Sequence, residues 1–365
     1  KNRLRNRNIR PEPQIEELVK AGKLEEVIKE HFGNMKFDVV IGNPPYQEET
    51  KDTSDKPIYN YFMSEAYKFA DKVCFITPAR FLFNAGKTPK KWNAKMLNDE
   101  HLKVAYYEQD SSNVFPNTDI KGGVAITYRD TQKNFGKIGT FTHFEELNSI
   151  LRKVVNNSFE SIFPIISVQM DYKFKPEYKI LQAGLTSNIF EKQSELFSKD
   201  KTSEKQAKIM GRFNSKRTYR FIDEKYLILP ENYNKFKVFL PESNGSGAIG
   251  EVLSTPLVGE PLVGEPLVGH TQTFISFGAF NNREEAENLL KYIKTKFART
   301  MLGTLKITQH NKAPTWVNVP LQNFTNNSDI DWSQSIAQID QQLYKKYGLS
   351  EKEIAFIEEK VRAME

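Results

Sequence analysis

At 365 residues, 39% of them hydrophobic and 12% aromatic, the chain has room for two domains and is too apolar to be disordered. Its net charge of +6 suits a polyanionic partner without requiring one. A single cysteine, Cys74, excludes an intrachain disulfide and points to a reducing, cytoplasmic setting; the scattered histidines lack metal-ligand spacing, and no run is apolar enough for a membrane span or a signal peptide.

Residues 1–10, KNRLRNRNIR, read as a basic arm, and Pro11 and Pro13 end it. Ile15 to Phe32 carries apolar residues at helical spacing, and Gly22 divides it into two short helices. The run FDVVIG, residues 37–42, is apolar and β-branched, which predicts a buried strand, and it leads directly into Asn43-Pro44-Pro45-Tyr46. Ile58 to Ala70 reads as an amphipathic helix. Val73 to Thr77 is a second buried strand, with Cys74 in the core and Pro78 as its stop; Leu102 to Tyr107 is a third and Gly123 to Tyr128 a fourth. Strands joined by helical crossovers give an α/β signature, and residues 37–145 suffice for half of a doubly wound sheet.

After Asp130 the strands shorten and Lys, Asn and Ser become frequent. This places a boundary near residue 145, with residues 1–36 as arm and short helices, 37–145 as the first domain and 146–325 as a mixed α+β second domain. Residues 284–301 form its clearest helix, after a strand at Thr273–Phe277. Residues 326–365 form a tail with two helical patterns, Ser333 to Tyr347 and Ser350 to Met364, the second opened by a Ser350/Glu353 capping box. GSGAIG, residues 245–250, fits G-x-G-x-x-G, but Val252-Leu253-Ser254 comes next instead of a helix, so it reads as a turn and not as a cofactor loop. TPLVG-EPLVG-EPLVG, residues 255–269, is a tandem pentapeptide whose prolines and glycines predict successive turns. Its copy number can change in the gene without shifting the reading frame.

The tetrapeptide after the first strand carries the chemistry. Its two prolines fix φ and remove two backbone donors, so the loop is stiff and presents carbonyl oxygens. The Asn43 side-chain oxygen and the Pro44 carbonyl are two acceptors that can hold an amino group by both of its hydrogens. Tyr46 adds an aromatic face for a planar base. Such a set suits an extruded adenine whose exocyclic amine is to be alkylated.

FDVVIGNPPYQ resembles the catalytic motif of amino-group DNA methyltransferases. Residues 113–127, NVFPNTDIKGGVAIT, resemble the Val-Phe-Pro segment before a hairpin strand of the catalytic sheet in adenine methyltransferases of the gamma arrangement, the restriction-modification methylases. The resemblance implies an α/β fold: the C-terminal half of a Rossmann-like S-adenosylmethionine-dependent methyltransferase sheet, followed by an α+β target-recognition domain. It implies that Asn43, Pro44, Pro45 and Tyr46 are catalytic, with Phe115 stacking on the opposite face of the base. S-adenosylmethionine is the implied cofactor, with Asn43 and Pro44 on one wall of its site. In this family most of the cofactor is held by a Gly-x-Gly segment before NPPY, which residues 1–36 do not supply. A missing N-terminal half or a partner subunit is therefore expected, and the chain, opening on Lys1, reads as a fragment or split-gene product.

The implied macromolecular partner is double-stranded DNA, with an endonuclease fused or separate. Two basic segments in the second domain are the expected DNA contacts: Lys208, Arg212, Lys216, Arg217 and Arg220 in KIMGRFNSKRTYR, and Lys306, Asn311 and Lys312 in KITQHNK. The leading expectation is a site-specific DNA adenine methyltransferase of a restriction-modification system. The alternative is a catalytically incomplete DNA-binding fragment or subunit that needs a separate cofactor-binding part.

Overall fold

The computed structural model describes residues 12–33, 36–48, 56–156, 158–168, 170–178 and 184–365, so the expected basic arm lies outside the described residues. The chain divides into two compact units between His143 and Phe144. No helix among the described residues is long and apolar enough to cross a membrane.

The first unit is mixed α/β. Its helices are α1 (Glu12–Lys20) and α2 (Leu24–Phe32), separated at Gly22 with φ +70°, then α3 (Tyr59–Phe69) and α4 (Lys90–Leu97). Its strands are β1 (Phe37–Gly42), β2 (Ala70–Pro78), β3 (Leu102–Glu108) and β4 (Val124–Asp130). They form one sheet in the order β1-β2-β4-β3. β1 and β2 are parallel, with Val39 opposite Lys72 and Ile41 opposite Cys74; β4 runs antiparallel to both β2 and β3. Helix α3 buries Tyr59, Met63, Ala66 and Phe69, a stripe at helical spacing, in a core with Val73, Phe75, Phe81 and Leu102.

Two expectations need correction here. β1 is an edge strand and not a buried one: beyond β2 it pairs with no strand among the described residues, and Val39 and Ile41 are 47% and 76% exposed. An apolar β-branched run signals a strand built for covered faces, and in this unit one of those faces is bare. Cys74, its cross-strand neighbour, is half-buried and free.

The second unit contains α5 (Glu145–Val154), β5 (Ile166–Ser167), β6 (Gln206–Phe213), β7 (Lys216–Asp223), β8 (Phe236–Pro241), β9 (Leu262–Gly264), β10 (Val268–His270) and β11 (Phe274–Phe280). These strands make two sheets, β7-β6-β10 and β9-β8-β11-β5. Four longer helices follow in the C-terminal part of the unit: α6 (Arg283–Lys294), α7 (Lys296–Gly303), α8 (Ile336–Lys346) and α9 (Glu351–Lys360). The single helix expected over 284–301 is broken at Thr295, whose hydroxyl donates to the Tyr292 carbonyl (2.6 Å) and accepts from the Ala298 amide (3.0 Å). The buried Asp340 carboxylate takes the next two amides, Lys296 and Phe297, which fixes the start of α7. The C-terminal helices place Ile339, Leu343 and Ile357 in the same core as Trp316 and Phe277. Both open with a capping box, Ser350/Glu353 as expected and Ser335/Gln338 besides.

The three pentapeptides do not form three turns. The first closes on itself through Thr255 and Gly259, the second supplies β9 to one sheet, and the third supplies β10 to the other. Their glycines face different neighbours: a Cβ on Gly259 would meet the Arg217 guanidinium at 3.2 Å, on Gly264 the Phe239 ring, and on Gly269 the Tyr172 ring at 2.9 Å. Buried Lys237 ties the third copy down by donating to the carbonyls of Val268 (2.9 Å) and Tyr233 (3.0 Å).

Beside Lys237, His270 is fully buried. Its Nδ1–H donates to the Thr271 carbonyl, which can only accept, and its Nε2 accepts from the Ser276 hydroxyl, both at 3.0 Å. Burial pushes its pKa down to about 4. The unfolded chain therefore takes up a proton near pH 6.5 that the folded unit refuses until about pH 4. Stability should fall across that window as pH drops, by roughly 3 kcal/mol from this one group. Urea unfolding at several pH values should show a shallower decline for His270→Gln than for the parent chain; parallel declines would remove His270 as the cause.

Candidate active site

Parallel strands β1 and β2 end at the same edge of the sheet. The segment after β1 (Asn43 to Gln47), the end of β2 and the turn beyond it (Pro78, Arg80) and the segment before β4 (Asp119 to Lys121) line an open cleft of about 1050 Å³. A crevice outside the carboxyl ends of parallel strands is where open α/β sheets take ligands. Pro44 is buried against the wall, Asn43 is exposed, and the Tyr46 carbonyl anchors the loop by accepting the Ile58 amide at 3.1 Å. Gly42 ends the strand in a close approach: a Cβ there would press on the Phe75 ring at 3.3 Å.

Tyr46 is half-buried in the cleft wall, and its hydroxyl has no hydrogen-bond partner among the described residues. Desolvation pushes its pKa up to about 12, so the ring remains a neutral phenol. Its centroid lies 6.4 Å from that of Phe115, with the ring planes at 67°. Tyr46 and Phe115 are thus brought together edge to face, and not as the parallel walls of a sandwich. A base between parallel rings needs centroids ~7 Å apart, twice a contact distance of ~3.5 Å. In this arrangement the two rings occupy each other's space, and a base enters only when one of them turns.

Phe115 is held by a small buried lock. Ser111 donates to the Thr118 carbonyl (3.1 Å) and accepts the Ile120 amide (2.8 Å), while the Phe115 amide donates to the Ser111 carbonyl (2.8 Å). The paired glycines beyond it are structural requirements. Gly123, φ +77°, lies so close to the Glu108 carbonyl that no side chain fits, and Gly122, φ +88°, packs on the stem of Arg80. Arg80 and Lys121 line the cleft although sequence reasoning did not single them out. The available signal was their position, Arg80 two residues past the proline that stops β2 and Lys121 directly before Gly122-Gly123.

In the second unit the first basic segment is the antiparallel pair β6–β7, which carries Lys208, Arg212, Lys216, Arg217 and Arg220 on one ribbon. Arg212 sits directly opposite Arg217 across the strands. Like charges so placed are destabilising unless an anion lies between them. Aromatic rings orient the cations: Lys208 lies over Tyr219 (4.5 Å) and Arg220 over Phe213 (4.8 Å). Arg217 is half-buried and donates to the Glu260 carbonyl. The second segment is corrected by the structure. Lys306 is only 4% exposed, with its ammonium on the Asn244 carbonyl (3.1 Å) and near Glu251, and Asn311 is buried, donating to the Pro241 carbonyl (2.9 Å) and to Asn244. Both hold the loop together and cannot meet a phosphate; Lys312 is exposed. GSGAIG is a turn with no helix after it, and its Ser246 and Gly247 amides are taken by the Glu251 carboxylate.

Residues 2–115 match the model of the Eco57I restriction-modification methylase family. A protein of Mycoplasma pneumoniae (strain ATCC 29342 / M129 / Subtype 1), described as an uncharacterized adenine-specific methylase, is 33% identical over 159 residues, which cover 39% of this chain and 37% of that protein. The chain thus spans under two fifths of the length of that relative. Among solved structures, the type IIG restriction endonuclease BpuSI aligns with a TM-score of 0.31 and 10% identity, over 89% of this chain and 54% of that one. The type IIL restriction-modification enzyme MmeI, solved in complex with DNA, aligns with a TM-score of 0.34 and 10% identity, over 88% and 56%. The stretch that matches the Eco57I restriction-modification methylase model, residues 2–115, contains the NPPY tetrapeptide and ends at Phe115.

Proposed function

We propose that this chain is the catalytic and target-recognition part of a DNA methyltransferase that methylates the exocyclic amine of an extruded adenine, as one arm of a restriction-modification system. The observation that carries the reading is the NPPY loop on the wall of a cleft at the ends of two parallel strands, with Phe115 beside Tyr46. The family match and the adenine-specific methylase relative support it. In this reading the Asn43 oxygen and the Pro44 carbonyl accept the two amine hydrogens. That draws the nitrogen lone pair out of the ring and aims it. Tyr46, neutral, stacks on the base, and Phe115 takes the opposite face once the ring pair has opened. No group here needs to act as a strong base, so the rate comes from alignment and electrostatics.

S-adenosylmethionine, when bound, supplies a methyl group made electrophilic by its sulfonium. The described residues fit that molecule on one side only. The cleft has room, and NPPY forms a wall, but no Gly-rich loop among the described residues opens a helix beside β1. The open edge of β1, with Val39 and Ile41 bare, is where a further parallel strand carrying the rest of the cofactor site would add. Such a strand belongs to another part of a longer protein or to a partner subunit. On the second unit, the cations of β6 and β7 fit a DNA backbone, with Arg212 and Arg217 sharing a phosphate.

Three outcomes are expected. In a methylation-competent assembly containing this chain, Asn43→Ala should lower tritiated-methyl incorporation about a hundredfold or more while DNA affinity holds; retention of the parent rate would sink the catalytic assignment and leave the DNA-binding alternative. Arg212→Ala and Arg217→Ala should each reduce the slope of log affinity against log salt by about 1, read by fluorescence anisotropy. An unchanged slope would take the ribbon out of the interface. Calorimetry on the chain alone should detect little or no binding of S-adenosylmethionine, and micromolar affinity would show that the cofactor site is complete without a partner for β1.

A further inference from the structure

Arg80 has the marks of a binding residue that the methyl-transfer reading does not use. It stands at the first turn after Pro78, where β2 ends, and lines the same cleft as Asn43 and Tyr46. Its stem is laid along two glycine backbones. A Cβ on Gly122 would fall 2.9 Å from its Cγ, and a Cβ on Gly86 would fall 3.3 Å from its Cβ; both glycines have positive φ, +88° and +86°. A side chain at either position would push the arginine aside. The guanidinium itself is exposed and makes no ion pair or hydrogen bond among the described residues. The carboxylate that shares the cleft, Asp119, pairs with Lys121 instead, at 2.5 Å. So the stem is ordered in advance and the charged fork is left unspent, which lowers the entropy cost of gripping a ligand.

We propose that Arg80 binds a phosphate of the extruded nucleotide, holding it by a charge-assisted fork while NPPY holds the base. The proposal rests on the adenine reading of the cleft. A guanidinium presents paired N–H donors that match two oxygens of a phosphodiester, and an adenine that leaves a duplex carries such a group a short reach from its ring. Gripping that phosphate fixes the sugar, and so the base, by its second end. The amine then has one orientation in the cleft instead of several.

The test uses the whole chain and three kinds of small probe: 2′-deoxyadenosine, its 5′- and 3′-monophosphates, and S-adenosylhomocysteine, each titrated by ligand-observed NMR. At least one monophosphate should bind about tenfold more tightly than the nucleoside. Arg80→Ala should erase that advantage and leave nucleoside binding unchanged, and Arg80→Lys should restore part of it. Arg80 is exposed, so neither variant disturbs the core. If the nucleoside binds but the phosphate adds nothing, or if Arg80→Ala keeps the advantage, the proposal fails while the adenine reading stands. If Arg80→Ala weakens S-adenosylhomocysteine and spares the monophosphates, the guanidinium serves the cofactor's carboxylate and the proposal again fails. If no adenine compound binds in the cleft, the adenine reading fails and this proposal with it.

Discussion

The parallel pairing of β1 with β2 is the constraint on which the cleft depends. Parallel strands deliver their chain ends to the same edge of a sheet, and here each end meets proline: Pro44 and Pro45 after β1, Pro78 closing β2. Proline has no amide to donate, so neither continuation can extend the ladder and close the gap. β4, antiparallel to β2, begins at that same edge, and β3 finishes there. The connection between β3 and β4, which carries Phe115 and the two glycines, therefore reaches the cleft, where its Asp119 to Lys121 form part of the lining. Three segments far apart in sequence meet because of strand direction alone.

Much of this was legible in the residues, for identifiable reasons. The tetrapeptide, its strand and the Phe115 segment are local signals, and the structure has a strand at Phe37–Gly42 and brings Phe115 beside Tyr46. What sequence could not supply was neighbourhood. The β-branched residues of β1 speak of covered faces, but only a sheet order tells that β1 is outermost among the described residues. Lys306 and Asn311 sit in a stretch whose composition reads as a solvated basic loop; nothing local says that the ammonium turns inward to a backbone carbonyl or that the amide clamps Pro241 and Asn244. The break at Thr295 is similar. Helical periodicity runs straight through it, and the helix stops because a buried threonine and a carboxylate from another helix claim the amides of the next turn.

The second unit uses buried polarity to fix which strand goes where. Lys237, His270, Ser276 and Asn232 connect β8, β10 and β11 through hydrogen bonds with little freedom of partner. Buried groups of this kind contribute less to net stability than their number suggests, because each loses hydration. They discriminate strongly between arrangements, since an unpaired buried lysine or imidazole is costly. That matters in a unit whose strands are short and whose sequence contains three near-identical candidates for the same strand positions.

Those three copies have a consequence for how the gene can vary. The residues of β9 are Leu-Val-Gly, and the same triplet occurs once in each pentapeptide. The third copy is distinguished in the fold by its C-terminal neighbour, His270, whose ring has a unique seat. The middle position has no such label. A chain that lost or gained one unit would still present Leu-Val-Gly to β8 and still end on the copy next to His270, with the difference in length absorbed by the copy that folds on itself and exposes Leu257. Slippage during replication at this locus is then a change of five residues that both sheets can ignore, and its visible product is a longer or shorter projection beside Arg217.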